Sequence, residues 1–166
     1  QVIEELAAAS KAAEPSVREV TALHTDGPVP DAQIVDRPEW VRAASESMRS
    51  MTSGTAAGAE TTQGPAGFLA GRLAGAQTGA VLAFVSSGIL GQYDPFAAGG
   101  GKLLLVYPNV IAVERQLHLV PKDFRLWVCL HEVTHRVQFT ANPWLAGYMT
   151  DALGVLTGDG GVELQD

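Results

Sequence analysis

Charged side chains are scarce in this sequence. They make up 17% of the 166 residues, whereas hydrophobic residues make up 46%, and about 25% charged residues would be ordinary for a soluble domain. We therefore expect part of the surface to be covered. The net charge is −7, the acidic residues are scattered, and lysine and arginine form no cluster. This distribution argues against nucleic acid or an anionic membrane as a partner.

Cysteine is nearly absent too. Cys129 is the single one, so the chain cannot form an internal disulfide, which fits a reducing, cytoplasmic setting. The chain does not open with a basic segment, an apolar core and a cleavage site, so we expect no signal peptide. It starts at Gln1 rather than at a methionine, which hints weakly at a trimmed N-terminus.

The sequence also lacks a long uninterrupted hydrophobic run. Its most apolar span, from Phe68 to Leu90, is interrupted by Arg72, Gln77 and several hydroxyl residues, whereas a membrane-spanning helix needs about 20 predominantly apolar residues. Glycine recurs every four residues in this span, which permits close approach by another helix. We predict a buried helix of a soluble protein, and a membrane span is the weaker alternative.

The rest of the chain alternates helical patterns with a clear strand. Apolar periodicity predicts helices over residues 2–23, 36–51, 110–120 and 143–156, with Pro15 kinking or dividing the first. Lys102 to Tyr107 is predicted as a strand and Ile34-Val35 as a short one. Residues 52–66 read as a flexible link and residues 88–101 as a loop-rich stretch. We predict one mostly α-helical α+β domain over residues 1–166.

A histidine-rich motif lies in a further predicted helix of about 18 residues that ends before Asn142. It reads His131-Glu132-x-x-His135. Residues four apart on a helix lie one turn above each other, with Cβ atoms about 5–6 Å apart, which suits two ligands of one zinc ion. Glu132 lies about 100° further round the helix. We therefore predict His131 and His135 as metal ligands and Glu132 as a general base that does not ligate the metal.

The surroundings of the motif favour a metal site. Trp127 and Gln138 share the histidine face and the opposite flank is apolar, so we predict a helix that is buried on most sides. Buried imidazoles and a buried carboxylate need partners, and a metal supplies them directly. The alternative is a pair of core histidines bonded to carbonyl groups, with Glu132 paired to Arg125 or Arg136.

Several separated segments match a known pattern. They are Val35-Asp-Arg-Pro-Glu-Trp-Val41, Gly91-Gln-Tyr-Asp94, Leu104-Leu-Val-Tyr-Pro-Asn109, and Phe124 to Phe139 followed by Pro143-Trp144-Leu145. On these residues the chain resembles the zincin-like metallopeptidases of actinobacteria and their relatives, a family often associated with biosynthesis of a deazaflavin coenzyme. The resemblance implies a largely helical zincin-like fold with a zinc-binding H-E-x-x-H helix, and zinc-dependent peptidase or hydrolase activity.

One motif of that family is missing from the sequence. Its members are longer and carry Glu-Gly-His-Ala-Asp on a downstream helix, which the resemblance implies as the source of a third zinc ligand. We therefore expect this chain to be an N-terminal portion, incomplete at its C-terminus. Catalytic zinc normally has three protein ligands. Here the third could come only from Asp151, Asp159, Glu163, His118 or His24, and with two histidines alone we expect weaker zinc binding.

The motif favours zinc-dependent hydrolysis of a peptide or protein substrate, with Glu132 as general base. Leu103 to Tyr107 is a candidate edge strand for pairing with the peptide, and equally an ordinary core strand. Tyr107, Tyr148 and His118 are candidate oxyanion donors. A non-catalytic scaffold or interaction protein, with structural or absent metal, is the alternative, and a membrane peptidase is a third. An apolar surface left exposed also predicts self-association.

Overall fold

Helices pack on both faces of a small sheet. The computed structural model of the chain describes residues 1–25, 29–53, 65–97 and 99–156. The helices are α1 (Val2–Thr21), α2 (Arg37–Ser53), α3 (Pro65–Val85), α4 (Tyr107–Gln116), α5 (Pro121–Ala141) and α6 (Trp144–Leu156), and the strands are β1 (Gln33–Val35), β2 (Gly91–Asp94) and β3 (Lys102–Val106). This is the mostly helical α+β architecture that the sequence predicts.

The strand β3 lies at the centre of the sheet. The strand order is β1-β3-β2, with β1 parallel to β3 and β2 antiparallel to it. Each residue from Leu103 to Val106 is at most 2% exposed, because a strand with a continuous apolar run is covered on both faces. The interpretation of β3 as an edge strand is therefore wrong, and it is a core strand. The described edge strands are β1 and β2, and β2 lies within a stretch predicted as loop.

Alternate residues of β3 pack into two hydrophobic layers, one on each face of the sheet. Leu103 and Leu105 face α1 and α5, where they pack with Leu6, Val17, Val128, Val133 and Val137. Leu104 and Val106 face the other way and pack with Val35, Trp40, Leu82 and Ile89. This division follows from the alternation of side chains along a strand. The sheet therefore separates the α1 and α5 layer from the α2 and α3 layer.

Local signals set several helix boundaries. Asp36 Oδ1 accepts a hydrogen bond from the amide of Glu39 at 2.7 Å, and Glu39 Oε2 accepts one from the amide of Asp36 at 2.8 Å. This reciprocal pair is a capping box, and it confirms the predicted start of α2. By contrast, α1 continues unbroken through Pro15, so the predicted division there is wrong. Ala13 and Val17 are buried on either side of the proline, so packing holds the helix where one backbone hydrogen bond is lost.

Helix α3 is exposed along most of its described surface. Among residues 75–85, only Leu82 is partly buried, and Phe84 is 80% exposed. A Cβ added at Gly75 or Gly79 would have no atom within 4 Å, so neither glycine packs closely against another helix that the structure describes. The prediction of a buried helix is therefore wrong for these residues. Within the described ranges, no helix is both long enough and apolar enough to cross a membrane.

The predicted link over residues 52–66 falls largely outside the described residues. Its two ends are helical, because α2 extends to Ser53 and α3 begins at Pro65. Residues 54–64 lie outside the described ranges, as do residues 157–166. The flexibility of the link therefore stays a prediction.

Candidate active site

Helix α5 presents its two histidines on an exposed face. The ring centroids of His131 and His135 are 5.0 Å apart, with ring planes at 89°, and both side chains are exposed. Trp127 stacks on His131 with centroids 5.9 Å apart. The opposite face is buried, with Val133 and Val137 at most 1% exposed. The prediction of burial on most sides therefore holds for one face of the helix and not for the histidine face.

The two imidazoles are spaced as ligands of one zinc ion would be. With a Zn–N bond of about 2.0–2.1 Å, an imidazole centroid lies about 3.2 Å from the metal, and two ligands at a roughly tetrahedral angle have centroids about 5.2 Å apart. The observed separation is 5.0 Å. His131 and His135 thus fit two positions of a zinc site.

Glu132 differs from the histidines in being buried. Its side chain is 7% exposed, and burial raises its pKa from 4.5 to about 7, because desolvation disfavours the charged carboxylate. Within the described part of the chain, the carboxylate has no hydrogen-bond or ion-pair partner. A general base works best with a pKa near the operating pH, so this environment suits proton transfer at neutral pH.

The arginines of α5 are paired with other glutamates. Arg125 donates to Glu114 through Nε and NH2, each at 2.9 Å, and also to Glu5. Arg136 donates to Glu14 and to the carbonyl of Pro30. These pairs connect α5 to α1 and α4. The alternative that Glu132 is neutralised by Arg125 or Arg136 is therefore not what the described residues show.

Cys129 is a packing residue on the buried face. It is 0% exposed, and its Sγ lies 3.7 Å from the carbonyl oxygen of Leu6. Burial raises the pKa of its thiol to about 12. A metal ligand must be a thiolate, so a buried thiol with this pKa is poorly suited to bind a metal.

A cleft of about 420 Å³ lies between α5 and the edge strand β2. Its lining residues come from four helices or strands and the turn after β2: Ser47, Met51, Gly91, Gln92, Tyr93, Asp94, Pro95, Phe96, His131, Glu132, His135, Phe139 and Met149. The cleft thus brings all three predicted site residues together with β2. Apolar side chains, among them Met51, Phe96, Phe139 and Met149, form much of the remaining wall.

Hydrogen bonds from α2 hold β2 in place. Trp40 Nε1 donates to Gln92 Oε1 at 2.8 Å, and Ser47 Oγ donates to Asp94 Oδ1 at 2.8 Å. Because Gln92 and Asp94 alternate with Gly91 and Tyr93, the opposite face of the strand is directed towards α5. Several of the segments that carry the family resemblance therefore meet at β2.

The buried side chain of Asn109 fixes the chain just before β2. It is 1% exposed, and its Nδ2 donates to the carbonyls of Ser86 and Ile89, both at 2.6 Å. Its Oδ1 accepts a hydrogen bond from Arg37 Nε at 2.6 Å. One amide thus links the starts of α2 and α4 to the segment between α3 and β2.

The described residues do not supply a third ligand. They contain no group of three or more histidine, cysteine, aspartate or glutamate side chains placed to hold a metal ion. Of the sequence candidates, His24, His118 and Asp151 are exposed and do not line the cleft. Asp159 and Glu163 lie outside the described ranges.

Sequence reasoning missed three residues of the cleft. Gly91 contacts Glu132. Tyr93 packs on Phe139 with ring centroids 5.7 Å apart, and burial raises its pKa. Asp94 is 4% exposed and its carboxylate also accepts the amide of Phe96 at 3.0 Å. The sequence signal that could have identified these residues was the Gly91-Gln-Tyr-Asp94 segment, on which the family resemblance partly rests. The tyrosines proposed as oxyanion donors, Tyr107 and Tyr148, do not line the cleft.

The chain belongs to a family of zincin-like metallopeptidases, Zincin_2, whose model matches residues 1–166. It is also similar to a crystal structure from Chloroflexus aurantiacus described as that of "a putative hydrolase with a novel fold". That similarity has a TM-score of 0.67 and 31% sequence identity and covers 90% of this chain but 48% of the other. The chain therefore spans about half the length of that relative. No curated protein matches it.

Proposed function

We propose that this chain forms the metal-binding part of a zinc-dependent peptidase, with His131 and His135 as zinc ligands and Glu132 as general base. The observation that carries the proposal is a glutamate that is 7% exposed and has a pKa of about 7, on the same helical turn as two exposed imidazoles whose ring centroids are 5.0 Å apart.

Each residue has a separate task in this mechanism. His131 and His135 hold the zinc ion, which when bound supplies Lewis acidity towards water and the substrate carbonyl. Glu132 accepts a proton from the attacking water and then delivers it to the leaving nitrogen. Its neighbours exclude bulk water from one side of the carboxylate, which keeps its pKa near neutrality.

The edge strand β2 is the proposed docking site for the substrate backbone. Among the described strands it pairs only with β3, and we propose that its other edge pairs with an extended peptide. The same strand lines the cleft that contains Glu132. We therefore propose an extended segment of a peptide or protein as the substrate.

The other features of the proposal rest on sequence. We propose a single domain, incomplete at its C-terminus, in which a third ligand comes from outside the described residues. An actinobacterial origin with the deazaflavin association follows the resemblance, and a cytoplasmic location follows the lone, buried Cys129. Exposed apolar side chains, including Phe84, Trp127 and Trp144, support self-association, which sedimentation at increasing protein concentration would test.

Zinc stoichiometry and turnover together test the proposal. After dialysis against a mild chelator and addition of zinc, we expect metal in the unmodified chain and in Glu132→Gln, and loss of metal in His131→Ala and His135→Ala. His24→Ala, an exposed histidine away from the cleft, is the matched control. On a peptide mixture analysed by mass spectrometry, Glu132→Gln should reduce turnover by about 10²–10⁴-fold.

Two outcomes would contradict it. Full turnover by Glu132→Gln would remove the general base from the mechanism. Zinc retained by both His131→Ala and His135→Ala would remove these residues from the metal site and favour the non-catalytic scaffold, the alternative that the lack of a third described ligand supports.

A further inference from the structure

Gly91 is the point at which the edge strand touches the proposed general base. It is the first residue of β2. A Cβ built on Gly91 would lie 2.6 Å from Cγ and 2.9 Å from Cδ of Glu132, and 3.0 Å from the carbonyl oxygen of Leu104. Ordinary van der Waals contact between carbon atoms needs about 3.5–4.0 Å. The side chain of Glu132 therefore occupies the space that any other residue at position 91 would fill.

The backbone conformation does not explain the glycine. Among the described glycines, only Gly99, Gly100 and Gly101 have a positive φ, between 91° and 96°, which L-residues rarely adopt. Gly91 is in a strand and pairs with Leu105 of β3, a conformation that all residues can adopt. The property of glycine that matters at position 91 is therefore its lack of a side chain.

Packing is the interaction that orients the Glu132 side chain. Within the described ranges its carboxylate accepts no hydrogen bond and forms no ion pair. By contrast, the Glu114 carboxylate is held by two hydrogen bonds from Arg125, each at 2.9 Å. The rotamer of Glu132 is therefore selected by steric contact, and Gly91 forms part of the surface against which its side chain packs.

The strand cannot easily move away from an added methyl group. On one side of Gly91, the Leu90 carbonyl accepts the amide of Val106 at 2.8 Å, and on the other side Gln92 accepts from Trp40 at 2.8 Å. The contact on Glu132 is at Cγ, in the middle of its side chain, so relief requires a change of rotamer. An alanine at position 91 would therefore move the carboxylate rather than the strand.

We infer that Gly91 is a positioning residue, whose missing side chain holds the Glu132 carboxylate in the cleft beside His131 and His135. The inference rests on the proposed function, and it adds a residue that acts through Glu132. Displacing a catalytic group by about 1 Å can cost about 10²-fold in rate.

The test is Gly91→Ala in the full chain, with Gly79→Ala as the matched control because a Cβ there would meet nothing within 4 Å. We expect kcat to fall about 10²-fold in Gly91→Ala, with zinc stoichiometry and Tm close to those of the unmodified chain, and we expect no change of kcat in Gly79→Ala. Adding Gly91→Ala to Glu132→Gln should cost little more, because both changes act on the same carboxylate. Unchanged kcat, or equal losses in both backgrounds, would overturn the inference.

Structural readouts separate this inference from the proposed function. If the unmodified chain has no turnover, the proposed function fails, and crystal structures of the unmodified chain and Gly91→Ala then decide the inference. A changed Glu132 rotamer in the variant supports it, and an unchanged rotamer overturns it. If the variant does not fold, nuclear Overhauser effects between the Gly91 α protons and the Glu132 γ protons of the unmodified chain decide it, and their absence overturns it.

Discussion

The two faces of helix α5 differ in whether their polar side chains have ion-pair partners. On the buried face, Arg125 and Arg136 are each paired with glutamates of α1 or α4. On the exposed face, the ring contacts among the described residues are those of His131 with His135 and with Trp127. Glu132 belongs to neither pattern, because it is buried like the arginines yet has no partner among the described residues.

This difference separates polar groups that support the fold from those available for chemistry. A buried charge normally survives because a partner offsets its desolvation, and the arginine pairs follow that rule. A carboxylate that is buried without a partner lowers stability and raises its own pKa. Such groups are found preferentially at functional sites, so the exception on α5 marks the candidate base.

Breaking a pair on the buried face should have the largest effect on stability. Arg125→Ala leaves the Glu114 carboxylate, on a residue that is 8% exposed, without its hydrogen-bond donors. We expect the free energy of unfolding in urea to fall by about 3–5 kcal/mol. Arg42→Ala, at an exposed position of α2, is the control and should change it by less than about 0.5 kcal/mol. Equal effects of the two variants would show that the arginine pairs do not hold α5 in place.

A pH titration should reveal the unpaired carboxylate. The pKa of Glu132 is about 7 in the folded, metal-free chain and 4.5 as its ordinary value. The folded state therefore binds more protons between these values, and its stability falls as pH rises from about 4.5 and levels off above about 7. The full difference is on the order of 3 kcal/mol. Glu132→Gln should flatten this part of the curve in urea unfolding, and an identical slope in both chains would contradict the assignment.

Substitution in the exposed helix should have a smaller effect, and in the opposite direction. Gly79 is in α3 and a Cβ there would meet nothing within 4 Å. Gly79→Ala should raise the free energy of unfolding by about 0.5–1 kcal/mol, because alanine favours the helix and restricts the unfolded chain. Gly91→Ala should not share this gain. Destabilisation by Gly79→Ala, measured by urea unfolding, would mean that α3 is covered in solution.

Removing a histidine from the exposed face should have the smallest effect on stability. In the metal-free chain, His131→Ala loses a ring contact with Trp127 and no hydrogen bond that the described residues show. We expect a change within about 0.5 kcal/mol. Thermal unfolding with and without zinc would measure both states, and we expect zinc to stabilise the unmodified chain only. A large loss without metal would assign His131 a structural role.

Much of the fold around the motif could be predicted because its signals are local. The capping box of Asp36 and Glu39 is encoded within four residues, and the apolar run of β3 is contiguous. The edge strand was missed because Gly91 and Asp94 are poor strand formers. The pairing of β2 depends on distant partners, including Trp40 and Asn109, that no local pattern reveals.

The motif predicted which site residues belong together, but not their surroundings. Spacing on one helix was sufficient to group His131, Glu132 and His135. Burial was misjudged because a helical wheel gives the direction of a side chain and not what covers it. The same limit applies to α3, whose apolar residues predicted burial although Phe84 is exposed. The contact between Gly91 and Glu132 depends on tertiary packing that the sequence pattern does not encode.

The order of the sheet also bears on how the molecule is assembled. The strands β2 and β3 and the helix α5 follow one another within residues 91–141, whereas β1 reaches β3 only after α2 and α3 have been passed. Nearby segments meet sooner than distant ones because shorter loops lose less entropy on closing. We expect pulse-labelled amides of β2 and α5 to gain protection before those of β1, unless docking of α1 comes first. In kinetic terms, β2 and α5 form a local structure, and the N-terminal helix later packs on the face of α5 opposite the two histidines.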